Sequence, residues 1–128
     1  MDVVPSSLSL AEIYLNDNHL NVHKGFSGIY SKTINLLNLD DLSDLPAESM
    51  DLVINLESFQ EMTQEWVDFW IKIINSKTKS DSYFYHSNSF GYKNFFELNL
   101  GESWKLISVY DHPRHWTNEH RTEVWRRD

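Results

Sequence analysis

The stretch MDLVINLESFQEMTQEWVDFWIKIIN, residues 50–75, decides the fold class. Leu52 to Leu56 is a compact apolar run of the kind an α/β sheet buries as a strand. From Phe59 the pattern changes: Phe59, Met62, Trp66, Phe69, Trp70, Ile73 and Ile74 recur every three or four residues, the period of a helix with one apolar face. A strand that feeds an amphipathic helix is the repeating unit of α/β proteins. Ser58 and Glu61 have capping-box spacing at the junction. The sequence therefore predicts a helix that starts near Phe59, with the Ser58 hydroxyl accepting from the Glu61 amide.

Downstream, the polar residues Asn75 to Ser80 end the helix and Ser82 to Ser87 reads as the next strand. Tyr92 to Leu100 is a short helix or a loop, and Trp104 to Tyr110 and Thr122 to Trp125 are two strands joined by the irregular stretch His112 to His120. Upstream, Leu8, Ala11 and Leu15 place a helix over Ser6 to Leu15, and Asn16 to Ser31 reads as an exposed connection. Thr33 to Leu37 is a β-prone run, and Asp40 to Glu48 is a loop around Pro46. No repeat or linker rich in Pro, Gly or Ser interrupts the chain, so residues 1–128 read as one domain. The expectation is an α/β layer protein whose sheet is mainly parallel, with an antiparallel strand pair at its C-terminal edge.

Composition narrows the function. The chain has 128 residues, 41% of them hydrophobic, which is enough for a buried core and too apolar for disorder. It has no cysteine, which excludes disulfides, thiolate metal sites and a cysteine nucleophile. The formal charge is −8, made of 12 Asp/Glu against 2 Lys in residues 1–70 and 7 Asp/Glu against 9 Lys/Arg in residues 71–128. This acidic balance disfavours nucleic acid and anionic membrane surfaces as partners. No apolar run reaches the roughly 20 residues of a membrane span and no secretory signal opens the sequence, so a cytoplasmic location is expected. Four glycines leave little material for a phosphate cradle. Neither a nucleophile elbow nor a Ser/His/Asp order is visible, which speaks against a hydrolase.

In open α/β sheets, ligands bind at the carboxyl ends of the strands. Four polar positions meet that condition: Asp2, the pair Asp40 and Asp41, the run Asn55 to Glu61, and the run His86 to Asn88. Carboxylates there can accept from ribose hydroxyls or an adenine amino group. A rival constellation is His112, His115 and His120, since three imidazoles can ligate zinc, but the spacing matches no standard pair and no metal is expected. The five tryptophans, Trp66 and Trp70 among them, read as core.

The run LLNLDDLSDLPAESMDLVINLESFQEM, residues 36–62, resembles the middle of a Rossmann-like S-adenosylmethionine-dependent methyltransferase. The matching pieces are Asp41, Leu45-Pro46 and Asp51 to Asn55. The ending Ser58-Phe59-Gln60-Glu61-Met62 is similar to the sugar O-methyltransferase family. Asp2 to Pro5 with the following helix resembles that family's second strand and turn, Tyr83 to Asn88 its fifth strand, and His120 to Arg127 its closing His-x-x-Glu strand. The resemblance implies S-adenosylmethionine as cofactor and a sugar hydroxyl as methyl acceptor. It places Asp2, Asp40, Asp41 and Asn55 on the cofactor side, and His86, Glu61 and His120 as candidate bases.

That family's glycine-rich loop follows its first strand, and this sequence begins at what resembles the second. The resemblance therefore implies a truncated sheet with the inner edges of two strands unpaired. Such a chain would be inactive alone, or would persist as a non-catalytic module covered by a second copy or a partner chain. The acidic first 70 residues would also suit a cationic sulfonium.

Overall fold

The computed structural model describes residues 5–26, 28–30, 32–89, 97–111 and 120–128. The expectations placed on Asp2, His112 and His115 lie outside these residues. The chain groups into two compact units, Met1–Pro46 and Ala47–Asp128.

In the first unit, helix α1 (Pro5–Asp17) precedes strand β1 (Asn21–Lys24), which pairs in parallel with β2 (Thr33–Leu36). β1 falls inside the segment expected as a connection. Its one apolar residue, Val22, gives no alternation to detect, and the pairing of Asn21 with Thr33 through Lys24 with Leu36 supplies the order instead. Gly25 ends β1 with φ of 78°, and its N–H donates to the Leu36 carbonyl at 2.9 Å. A Cβ at that position would meet only the Asp41 side chain, with Oδ1 at an ordinary 3.5 Å and Cγ at 4.0 Å, so Gly25→Ala carries a backbone cost and not a steric one. We expect it to destabilise this unit by about 1–2 kcal/mol, read by urea denaturation. Asp40–Ser43, expected as loop, forms one 3-10 turn that buries Leu42.

The second unit contains β3 (Met50–Leu56), α2 (Gln64–Lys77), β4 (Thr78–Ser89), β5 (Trp104–Asp111) and β6 (His120–Arg127). The sheet order is β3-β4-β6-β5, with β3 and β4 parallel and β6 antiparallel to both of its neighbours. The last strand inserts between β4 and β5, so β5 forms the edge. Counting both sheets, two described pairings are parallel and two antiparallel, an evenly mixed arrangement rather than a mainly parallel one.

The long helix expected from Phe59 is divided. Phe59–Glu61 is a single 3-10 turn, Met62 is extended, and α2 starts after Thr63. The capping box does not form. The Glu61 N–H donates to the Ser58 carbonyl at 3.1 Å, and the Ser58 hydroxyl instead accepts from the Asn55 amide. A half-buried amide needs an acceptor more than an N–H that the 3-10 turn already satisfies.

The helix face is also rotated from the expected one. Val67, Ile71 and Ile74 are buried while Trp66 is half exposed, because the stripe that meets the sheet runs 67, 71, 74. These residues pack with Phe59, Phe84, Leu100 and Trp104 into one core. Alternation and register then sort the strand residues. Val53, Asn55, Phe84, His86, Asn88, Glu123 and Trp125 share the face under α2. Leu52, Ile54, Leu56, Tyr83, Ser87, Ser89, His120 and Thr122 share the other.

Candidate functional site

The parallel strands β3 and β4 end together, at Leu56 and Ser89, and the start of β6 lies beside the end of β4 because Ser89 pairs with His120. Polar residues from all three strands gather at this carboxyl end, where α/β sheets take their ligands. The sheet divides them into two networks.

Under α2, His86 is fully buried and its Nε2 lies 2.9 Å from Glu123 Oε2. The Asn88 amide faces His86 Nδ1 at 3.4 Å and donates to Asn55 Oδ1 at 2.9 Å, while Asn88 Oδ1 accepts from the Phe59 N–H at 3.0 Å. An Nε2–H of His86 is thereby directed at the carboxylate. Glu123 also accepts from the Trp125 indole at 2.9 Å and from Arg121. Burial pushes its carboxyl pKa upward. The hydrogen bonds from His86 and Trp125, the charge of His86 and the Arg121 contact outweigh that, so the pKa ends below the ordinary glutamate value. Among described residues, no buried side-chain nitrogen or oxygen lacks a partner.

On the opposite face, Ser87 Oγ lies 2.7 Å from His120 Nε2 and 2.8 Å from Thr122 Oγ1. His120 Nδ1 lies 3.1 Å from Ser89 Oγ and 3.2 Å from Glu57 Oε1. His120 is itself buried, and Glu57 reaches it from an exposed position just past β3.

The sequence-derived bases are thus not equivalent. His86 and His120 occupy opposite faces of the sheet, and Glu61 is exposed in the turn after β3. Asn55 stands at the rim with its amide nitrogen on Ser58 and its oxygen on Asn88. In the first unit, Asp41 accepts from the Asn38 N–H at 2.8 Å, and Asn38 Oδ1 accepts from the N–H groups of Asp40 and Asp41, a local turn that leaves the Asp40 side chain exposed.

Sequence reasoning missed Glu123 as the partner of His86, and the grouping of Glu57, Ser87 and His120. The available signal was parity. Phe84, His86 and Asn88 alternate on one face, so the face that buries Phe84 must also bury the other two and find them partners.

Among described residues, no group of three or more His, Asp or Glu could hold a metal, and no helix is long and apolar enough to cross a membrane. No family model and no curated protein matches the sequence. Solved structures do match. One, from work on the conversion of a disulfide bond into a thioacetal group during echinomycin biosynthesis, is 12% identical with a TM-score of 0.68, over 99% of this chain and 64% of that one. A candidate methylase from Haemophilus influenzae is 13% identical with a TM-score of 0.63, over 98% and 69%. A candidate methyltransferase from Escherichia coli is 9% identical with a TM-score of 0.62, over 99% and 60%. The chain spans less than two thirds of the length of the first of these structures. At such identities the likeness is one of fold: nearly the whole chain is similar in fold to these structures, two of them candidate methylases or methyltransferases.

Proposed function

We propose that the chain serves S-adenosylmethionine-dependent methyl transfer to a sugar hydroxyl. The observation that supports this reading best is the parallel β3–α2–β4 unit with a polar carboxyl-end rim, set in a fold similar to that of candidate methylases. Within the first unit, the exposed carboxylate of Asp40, just past β2, can accept from a ribose hydroxyl or an adenine amino group, with Asp41 held beside it by Asn38. Asp2 is assigned to the same side by resemblance alone. Asn55 shapes the rim through its bonds to Ser58 and Asn88. When bound, the cofactor supplies an electrophilic methyl group on a cationic sulfur.

The acceptor hydroxyl must lose a proton to a base within hydrogen-bond reach. Glu61 is the expected base that faces solvent, whereas His86 is sealed under α2 and His120 lies on the other face. Tritiated methyl groups presented with a panel of sugars test the reading. Label should enter a sugar, and Glu61→Gln should slow it by about 100-fold or more. A panel that takes no label contradicts it.

A second reading, a non-catalytic module covered by another copy, is favoured by Leu52, Ile54 and Leu56, which are 53%, 58% and 57% exposed along β3. Light scattering that finds a monomer at every concentration would remove it.

A further inference from the structure

The face of the sheet opposite α2 holds a group that methyl transfer does not use. Ser87 Oγ, the His120 ring and the Glu57 carboxylate stand in line, with 2.7 Å from the hydroxyl to Nε2 and 3.2 Å from Nδ1 to Oε1. A hydroxyl, an imidazole and a carboxylate in that order, each within hydrogen-bond reach, form the arrangement that activates a serine. The chain order Glu57, Ser87, His120 and the separate strands hid it from the sequence, which showed no hydrolase motif.

Two further observations set the group apart from an ordinary polar patch. Glu57 has φ of 53°, a left-handed backbone that is costly for a glutamate, and its N–H is tied to the Ser87 carbonyl at 2.9 Å. Ser87 pairs with Leu56, and its hydroxyl partner Thr122 pairs with Tyr110. Both neighbours are more than half exposed, at 57% and 58%. Ser87, His120 and Thr122 are themselves 8%, 4% and 5% exposed, so the polar group is screened from bulk water beside these two apolar side chains.

We infer that Ser87 is an activated nucleophile for esters with an apolar acyl group, with His120 as its base and Glu57 as the positioning residue. For Nε2 to accept from Ser87, the ring proton resides on Nδ1, where Glu57 and the Ser89 hydroxyl accept it. Ser87 Oγ attacks the ester carbonyl carbon and its proton passes to His120 Nε2. The C–O bond of the ester breaks, and the departing alkoxide takes that proton to leave as the alcohol. Water, deprotonated by His120, then cleaves the acyl-serine to the carboxylic acid and restores Ser87. This inference does not depend on methyl transfer.

The test incubates the full chain with an alkyl fluorophosphonate and maps the adduct by peptide mass spectrometry. Labelling forms an Oγ–P bond, releases fluoride and moves the Ser87 proton to His120. We expect a single adduct on Ser87, absent in Ser87→Ala, with a rate that rises with pH along one titration. Glu57→Gln should label at least about tenfold slower and Glu57→Asp in between. Because the Glu57 side chain is 49% exposed, these two variants retain the fold, as thermal melting would confirm. Absence of an adduct on Ser87, or a Glu57→Gln variant that labels at the wild-type rate and pH profile, overturns the inference.

Discussion

Phe84→Ala is expected to lower the unfolding free energy of the Ala47–Asp128 unit by about 3–5 kcal/mol, the range for deleting a fully buried aromatic ring. Phe84 has no exposed surface. Its ring centroid lies 6.3 Å from Phe59, 5.5 Å from His86 and 6.3 Å from Trp104, so it joins the turn after β3, the strand-end network and the edge strand β5. The cavity would open beneath α2, where Val67, Ile71 and Ile74 are already packed. Neighbours held by a sheet and a helix cannot close it cheaply, which places the cost toward the upper end. Urea denaturation followed by tryptophan fluorescence measures it. A loss below 1 kcal/mol would mean that this residue is not at the centre of the core.

Glu123→Ala is expected to cost a similar amount, about 3–5 kcal/mol, because it leaves the buried His86 and the partly buried Trp125 indole without their acceptor. The milder Glu123→Gln isolates the charge. The folded-state pKa of Glu123 lies below its ordinary value of 4.5, so its carboxylate stabilises the fold fully above the unfolded pKa. That contribution is lost as pH falls from about 4.5 through the lower folded value. The stability gap between wild type and Glu123→Gln should therefore be constant near neutral pH and shrink on acidification. A gap that widens below pH 4.5 would show that burial, not hydrogen bonding, dominates at this carboxylate.

The legible parts of the fold were those whose residues repeat with a period. Leu52 to Leu56, Ser82 to Ser87 and the C-terminal strands all lie within observed strands, and Phe59 to Ile74 contains most of α2. The errors have local causes. Asn21–Lys24 is too short and polar to show as a strand, yet Thr33–Leu36 pairs with it residue for residue. The spacing of Ser58 from Glu61 fits a cap, but spacing cannot reveal that the Asn55 amide claims the same oxygen. Trp66 has the composition and spacing of a core residue, and the helix turns Val67 inward instead.

The site was legible as a place and not as an arrangement. The rule that polar residues collect at strand ends found Asn55, His86 and Asn88. Which face each occupies follows only once β4 and β6 are paired Tyr83 with Arg126 through Ser89 with His120. That register puts Glu123 behind His86, and His120 on Ser87 away from it. Candidate bases that the sequence could only list together thereby fall on opposite sides of one sheet.

Calorimetric titration of the chain with S-adenosylmethionine tests the functional reading most directly. The resemblance alone implies a chain that lacks its cofactor loop, whereas the exposed Asp40 carboxylate predicts saturable one-site binding in the micromolar range, weakened at least about tenfold by Asp40→Ala through loss of a charged acceptor for the adenosine end. No saturable heat up to millimolar cofactor, from a chain whose melting curve shows it folded, would contradict it.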